Sequence, residues 1–137
     1  MLRKQLRRIR PRPKPGRTPE MVASKDSDLP VFVAWLDFLE RLLPTTAKLP
    51  KHVRCTFVNR IDNLALDIAE DLVEARYSRN KRTVLARVNL RLERLRVLLR
   101  LCHALGYFPH SRCEHAMRCV NKVGSMLGGW SKQQEAR

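Results

Sequence analysis

The sequence predicts an all-α fold, an up-and-down bundle of four helices. Only five glycines occur in 137 residues, which is too few for a turn-rich β protein. Four of the eight prolines precede residue 20, so long later stretches contain no helix breaker. In these stretches apolar residues recur every three or four positions, the spacing of a helix with one buried face. The length suits a single domain.

The first 27 residues differ from the rest in composition. Residues 1–17 carry eight Lys or Arg and no acid, and four prolines lie in or just after this stretch. A basic, proline-rich segment without apolar periodicity predicts a disordered arm over residues 1–27. We expect the bundle over residues 28–130, with Asp28 as its first N-cap, and a C-terminal tail over residues 131–137.

Two helices are predicted before the turn at residues 78–80. The first spans about residues 31–43, and Pro44 is expected to end it. The second spans about residues 51–77, directly after Pro50. Each has one apolar stripe, formed by Phe32, Trp35, Leu36, Leu39, Leu42 and Leu43 in the first helix and by Phe57, Ile61, Leu64, Ile68, Leu72 and Ala75 in the second.

Two further helices follow the turn. The third spans about residues 81–105 and ends before Gly106, and its apolar stripe has the 3-4-3-4-3 spacing of helices packed side by side. The fourth is expected to begin with a capping box of Ser111 and Glu114 and to end at residues 128–130. The stripes comprise Leu85, Val88, Leu92, Leu95, Leu99 and Cys102 in the third helix and Cys113, Ala116, Met117, Val120, Val123 and Leu127 in the fourth.

The third helix carries a second apolar stripe nearly opposite the first, formed by Ala86, Leu90, Val97 and Leu101. A helix on the surface of a monomer needs only one apolar face. Either another helix of the same chain covers the second stripe, or a neighbouring subunit does. In a bundle of four helices we favour the subunit, which predicts a homo-oligomer.

The charge of the chain is strongly positive, +15 with a pI near 10.8, and this predicts a polyanionic partner such as nucleic acid. The candidate contacts are the basic residues of the third helix and of the arm. Two other interpretations stay open: the charge serves solubility alone, or the arginines pair with the acidic flank of the second helix. The candidates are Arg79, Lys81, Arg82, Arg87, Arg91, Arg94, Arg96 and Arg100, with Arg7, Arg8 and Arg10 in the arm.

No pattern predicts an enzyme. The chain has no glycine-rich phosphate loop and no Ser/His/Asp set, and no cofactor is expected. The acidic residues Asp67, Glu70, Asp71 and Glu74 share a helical spacing that suits a metal, but a solvated acidic face is the commoner cause of this pattern.

Cysteines and histidines near the fourth helix are zinc-ligand types, but we expect no metal site. No cysteine pair has the spacing of a zinc site. Cys102 and Cys113 fall in apolar stripes, where a reduced cysteine packs as a small hydrophobic residue. The chain shows no secretory signal and no apolar run long enough for a bilayer, so we expect a cytoplasmic protein without a membrane partner.

From about Leu49 onward the chain resembles the accessory variability determinant (Avd) proteins of diversity-generating retroelements. No single motif is decisive, and the ordered series makes the likeness specific. The residues that carry it are Lys48-Leu-Pro-Lys-His-Val-Arg54, Arg60-Ile-Asp-Asn63, Glu74-Ala-Arg-Tyr-Ser78, Asn89-Leu-Arg-Leu-Glu-Arg-Leu-Arg96, Leu98-Leu-Arg-Leu101, Glu114-His-Ala116 and Leu127-Gly-Gly-Trp130.

The resemblance implies a four-helix subunit that assembles into a pentameric ring with a basic surface. It implies two partners, the reverse transcriptase of the retroelement and its template RNA, in a complex that makes mutagenised cDNA in a bacterial or phage-encoded system. The arm of residues 1–27 is not part of the family pattern. A more distant resemblance is to the four-helix proteins encoded by intervening sequences of 23S ribosomal RNA genes, and a scaffold that binds only protein is the third alternative.

Overall fold

A computed structural model describes residues 29–136, so the predicted arm and the Asp28 cap lie outside the described residues. This part of the chain is helical and contains no strand. The α-helices are α1 (Leu29–Thr46), α2 (Asn59–Tyr77), α3 (Lys81–Ala104) and α4 (His110–Ala136). Helices α1 and α3 each pack against both α2 and α4, and neighbours in the chain run antiparallel. The all-α, four-helix prediction is therefore confirmed.

The core lies between the four helices and follows the predicted stripes, except that Leu36 of the α1 stripe is 37% exposed. Every member of the α3 stripe from Leu85 to Cys102 is almost completely buried. Trp35 of α1 is also fully buried, and its indole N–H donates to the carbonyl of Ala65 at 2.9 Å. This bond satisfies the one polar atom of the Trp35 side chain.

Helix α1 continues through Pro44 to Thr46, so the prediction that Pro44 ends it is wrong. Proline removes one backbone donor, and the carbonyl that loses its partner belongs to the exposed Glu40, where water can replace the bond. The next turn is held by Ala47, whose amide donates to the carbonyl of Leu43 at 3.1 Å.

The second predicted helix is divided into three parts. A 3₁₀ turn (Lys51–Val53) and a π-helical turn (Arg54–Val58) precede α2. In the π turn the amide of Asn59 donates to the carbonyl of Arg54, five residues earlier. The adjacent residues Phe57 and Val58 are both buried. Both side chains therefore belong to the core at the point where the wide turn leads into α2.

Helix α4 differs from its prediction at both ends. It begins at His110, and the amide of Cys113 donates to the carbonyl of Pro109 at 2.9 Å, so Ser111 lies within the first turn instead of capping it. It continues past residues 128–130 to Ala136, which makes the predicted stop and separate tail wrong up to that residue. The buried Trp130 explains the continuation, since burying an aromatic side chain stabilises by about 2–3 kcal/mol and offsets two helical glycines.

The end of α3 is closed as predicted by Gly106, which has a φ of +85°. Its amide donates to the carbonyl of His103 at 2.9 Å, and the amide of Tyr107 donates to that of Cys102 at 3.1 Å. Glycine adopts this left-handed conformation without the steric cost that a Cβ adds.

Gly106→Ala should therefore lower the free energy of unfolding by about 1–2 kcal/mol. The space around Gly106 is open, so the cost comes from the backbone alone. Gly129→Ala is the matched control because its surroundings are also open but it lies within α4, where alanine should stabilise by about 0.5–1 kcal/mol. Urea unfolding followed by circular dichroism measures both, at one protein concentration. Equal stability of the two variants would contradict this account.

Candidate nucleic-acid interface

The flank of α3 that faces α2 holds an ion-pair cluster. The guanidinium of Arg87 donates to Glu74 Oε1 at 2.6 Å and lies 3.3 Å from Asp71 Oδ1. Arg91 pairs with the other oxygen of Asp71. The carboxylate of Asp71, followed by that of Glu74, raises the pKa of Arg87 above its ordinary value. Arg87 and Arg91 therefore act as structural ion-pair partners, the alternative that the sequence left open for the arginines.

The expectation of a solvated acidic face on α2 is wrong for Asp71. The residue is only 6% exposed, although Glu70 and Glu74 beside it are exposed as expected. Its carboxylate is buried between α2 and α3 because two arginines supply counter-charge there.

Two more of the predicted contact residues, Lys81 and Arg96, also have partners within the bundle. The ammonium of Lys81 donates to the carbonyls of Ala75 at 2.7 Å, Arg76 at 3.1 Å and Ser78 at 3.2 Å. It thus satisfies carbonyls at the C-terminal end of α2.

Arg96 lies across the groove between α3 and α4. It donates to Glu93 on its own helix and, through Nε, to Asn121 Oδ1 at 2.9 Å. A Cβ at Gly124 would lie 3.0 Å from its Nη2, so this glycine makes room for the guanidinium.

Four predicted contact residues stay available for nucleic acid. Arg79, Arg82, Arg94 and Arg100 are exposed, and none has a carboxylate partner within the described residues. They are distributed from one end of α3 to the other, so they form no compact cluster. The arm residues Arg7, Arg8 and Arg10 lie outside the described residues.

Sequence reasoning missed a basic groove between the end of α1 and the start of α4. The groove has a volume of about 690 Å³, and Arg41, Lys48 and Arg112 lie around it. Arg41 Nη1 is hydrogen-bonded to His115 Nε2 at 3.1 Å, so an imidazole orients this guanidinium. Arg112 and His115 are far in the chain from Arg41 and Lys48, and only the fold brings the two segments together, which is why no local pattern indicated the groove.

The second apolar stripe of α3 is exposed, and no other helix within residues 29–136 covers it. Leu90, Val97 and Leu101 are 52%, 56% and 47% exposed, and Ala86 is exposed with them. We call these four residues the α3 face. Cover by another helix of the bundle, one of the two alternatives, is therefore excluded for residues 29–136.

A second exposed apolar surface lies on the side where α1 meets α2. It comprises Leu36 on α1 and Leu66, Val73 and Tyr77 on α2, and we call it the α1/α2 face. Arg76 lies on this side of the bundle, with its guanidinium 6.0 Å from the ring of Phe32 and 5.7 Å from that of Tyr77. Leu66, Val73 and Tyr77 are seven and four residues apart along α2, which is a helical spacing. They lie outside the single apolar stripe that was predicted for this helix.

The cysteines of the zinc-like set pack as expected for core residues. Cys102 and Cys113 are buried, and burial raises the pKa of both thiols. Cys119 Sγ lies 3.6 Å from His115 Nε2. Within residues 29–136, no group of three or more His, Cys, Asp or Glu side chains is arranged to hold a metal ion. The helices described include none that is long and apolar enough to cross a membrane.

The ion-pair cluster gives a prediction for stability. Asp71→Asn should lower the free energy of unfolding by about 2 kcal/mol, because Arg91 would keep its charge in a half-buried position without a counter-charge. Partial exposure of the arginine keeps the cost below that of a fully buried pair. Glu70→Gln on the same helix is the control, since this carboxylate is exposed, and it should change stability by less than about 0.5 kcal/mol. Thermal or urea unfolding tests both, and equal effects would count against a structural role of Asp71.

A family model described as bAvd-like matches residues 34–134, which is most of the chain and nearly all of the described bundle. Among curated proteins, no sequence matches. The chain belongs to the bAvd-like family, which confirms the resemblance to Avd-type proteins of diversity-generating retroelements.

Proposed function

We propose that this bAvd-like chain is a non-catalytic accessory protein of a diversity-generating retroelement. In this role it binds the reverse transcriptase and the template RNA and supports mutagenic cDNA synthesis, in the cytoplasm of a bacterium. The family match over residues 34–134 is the observation that carries the proposal. It favours this role over that of a ribosomal RNA intervening-sequence protein or of a scaffold without a retroelement.

The distribution of charge supports RNA as one partner. Residues 1–17 carry eight of the 28 basic residues, and the remaining 20 face 13 acids, so residues 18–137 still carry +7. Several of these acids are used within the bundle by Arg87, Arg91 and Arg96. Exposed cations therefore remain for phosphates, and counterion release makes such contacts favourable.

The use of the α2 carboxylates supports a role without catalysis. Metal-assisted chemistry on nucleic acid needs carboxylates that are free to bind cations. Asp71 is instead held by Arg87 and Arg91, and Glu74 is held by Arg87. Two of the four acids in the pattern that most resembled a metal site thus take part in the contact between α2 and α3.

The two apolar faces support a ring. Since α1 and α3 each pack on α2 and α4, they lie diagonally across the bundle, and the α3 face points away from α1. The α3 face of one subunit therefore contacts the α1/α2 face of the next, and this head-to-tail contact closes into a ring when its rotation allows. The subunit number of five comes from the family resemblance.

Reconstitution with the cognate reverse transcriptase and template RNA tests the function. Alone, the chain should neither synthesise nor cut nucleic acid, with or without Mg²⁺. With both partners it should form a stable ternary complex and permit cDNA synthesis. Arg79→Glu with Arg82→Glu should weaken the complex without loss of helicity, because both side chains are exposed.

Arg118→Glu with Lys122→Glu is the matched control, since both side chains are exposed on the part of α4 that packs beside the second half of α3, away from both arginines. Normal cDNA synthesis in the absence of this chain would refute the accessory role. Intrinsic nuclease activity that is lost in Asp67→Asn or Asp71→Asn would refute the non-catalytic one.

Assembly is tested by two variants and their mixture. Leu90→Asp with Val97→Asp changes the α3 face, and Leu66→Asp with Val73→Asp changes the α1/α2 face; each variant should be monomeric and helical by light scattering and circular dichroism. A head-to-tail contact needs one intact face from each chain, so the mixture should form dimers. Lys122→Asp should keep the wild-type particle size. A monomeric wild type, or a mixture that stays monomeric, would contradict this arrangement.

A further inference from the structure

We infer that the groove between α1 and α4 binds an unpaired segment of RNA, with phosphates on its basic rim and a nucleobase against its apolar floor. The inference rests on the proposed function, because it assigns a site to the RNA. It concerns a different surface from the α3 arginines.

The basic side chains of the groove are not neutralised by any group within residues 29–136. Arg41, Lys48 and Arg112 are exposed, and within the described residues none of them pairs with a carboxylate. Arg41 is bonded to the imidazole of His115, which orients the guanidinium without cancelling its charge. This contrasts with Arg87 and Arg91, whose charges face Asp71. Among the residues that line the groove, Glu40 is the one carboxylate.

The floor of the groove favours an unpaired strand over a duplex. Phe38, Leu42 and Phe108, which are almost completely buried, lie beneath it, and the exposed Pro44 and Pro109 add apolar surface. A duplex presents phosphates and sugars to a protein surface, whereas an unpaired nucleotide also presents the face of its base. The volume of about 690 Å³ lies within the usual range of small-molecule sites, so a nucleobase can be accommodated.

Tyr107 gives the groove a fixed aromatic wall. Its ring centroid lies 5.4 Å from that of His52 and 6.1 Å from that of Phe57, and its hydroxyl lies 3.4 Å from His52 Nε2. A base that enters the groove therefore meets a ring already held in place, which lowers the entropy cost of stacking.

The groove also stays open in the proposed ring. It lies where α1 faces α4, as the bond between Arg41 and His115 shows. The α1/α2 face lies on the other flank of α1, and α3 contributes no residue to the groove. Assembly through the two apolar faces leaves one groove per subunit accessible.

Fluorescence anisotropy with the full chain tests the inference, using a uridine-rich single-stranded RNA and a blunt RNA duplex of equal length. Lys48→Ala with Arg112→Ala should weaken binding of the single strand about tenfold. It should also flatten the dependence of log K on log salt by about 0.7 for each phosphate that is no longer neutralised. Lys122→Ala with Lys132→Ala removes the same charge from α4 outside the groove and should weaken binding much less. Duplex binding should change equally in both variants.

A variant that should gain affinity for RNA distinguishes a binding role of the groove from a purely structural one. Glu40→Gln removes the carboxylate of the groove and should tighten single-strand binding about two- to fivefold, since the RNA phosphates are then no longer repelled by it. Glu70→Gln makes the same change on α2, away from the groove, and should have a smaller effect. Photo-crosslinking of a 4-thiouridine RNA should mark the peptide that contains Tyr107.

The results distinguish this inference from the proposed function. If the wild type binds neither RNA form at low salt, the RNA part of the proposed function fails, and the groove inference with it. If the wild type binds RNA but the groove variants equal their controls, only the groove inference is overturned. It is likewise overturned if the groove variants bind both RNA forms normally and lose the reverse transcriptase, because the groove then binds protein.

Discussion

Burial of the α3 stripe is the constraint on which the rest of the structure depends. This stripe packs against both α2 and α4, so the flanks of α3 lie directly beside those two helices. Side chains on the flanks are long and charged, and they lose water as the helices approach. Arg91 therefore pairs with Asp71 on α2, and Arg96 bonds to Asn121 on α4. The apolar packing thus decides which helices lie beside the arginines, and the contacts of the arginines then join those helices.

The same constraint divides the positive charge into two classes. Basic groups beside the core stripe are used to hold helices together, as Lys81 is at the end of α2. Basic groups on the outer surfaces, such as Arg94 and Arg100, keep their charge available. A simple count of Lys and Arg along α3 therefore overstates what this helix offers to a phosphate, whereas residues from separate segments, such as Arg41 and Arg112, are overlooked.

The sequence predicted the helices well where one regular period continues without interruption, as in α3. It failed at boundaries that packing decides. Pro44 lies in an exposed last turn where the absence of one hydrogen bond costs little, and Trp130 extends α4 beyond two glycines. The apolar residues of the α3 face could be grouped from the sequence because they lie on one helix, and their contact with a second subunit stays a prediction. The groove and the burial of Asp71 were not, because both depend on which helices become neighbours.

The π-helical turn at Arg54–Val58 sets the angular phase between the connector and α2. Removal of one residue there would rotate everything before it by about 100° relative to α2. Val53 would then leave the core, and His52 would move away from Tyr107. Loss of a residue from the irregular connector before Pro50 would rotate no helix. The number of residues in the turn is thus fixed by the packing on both sides of it. Length variation within the family should therefore occur in the connector and not in the turn.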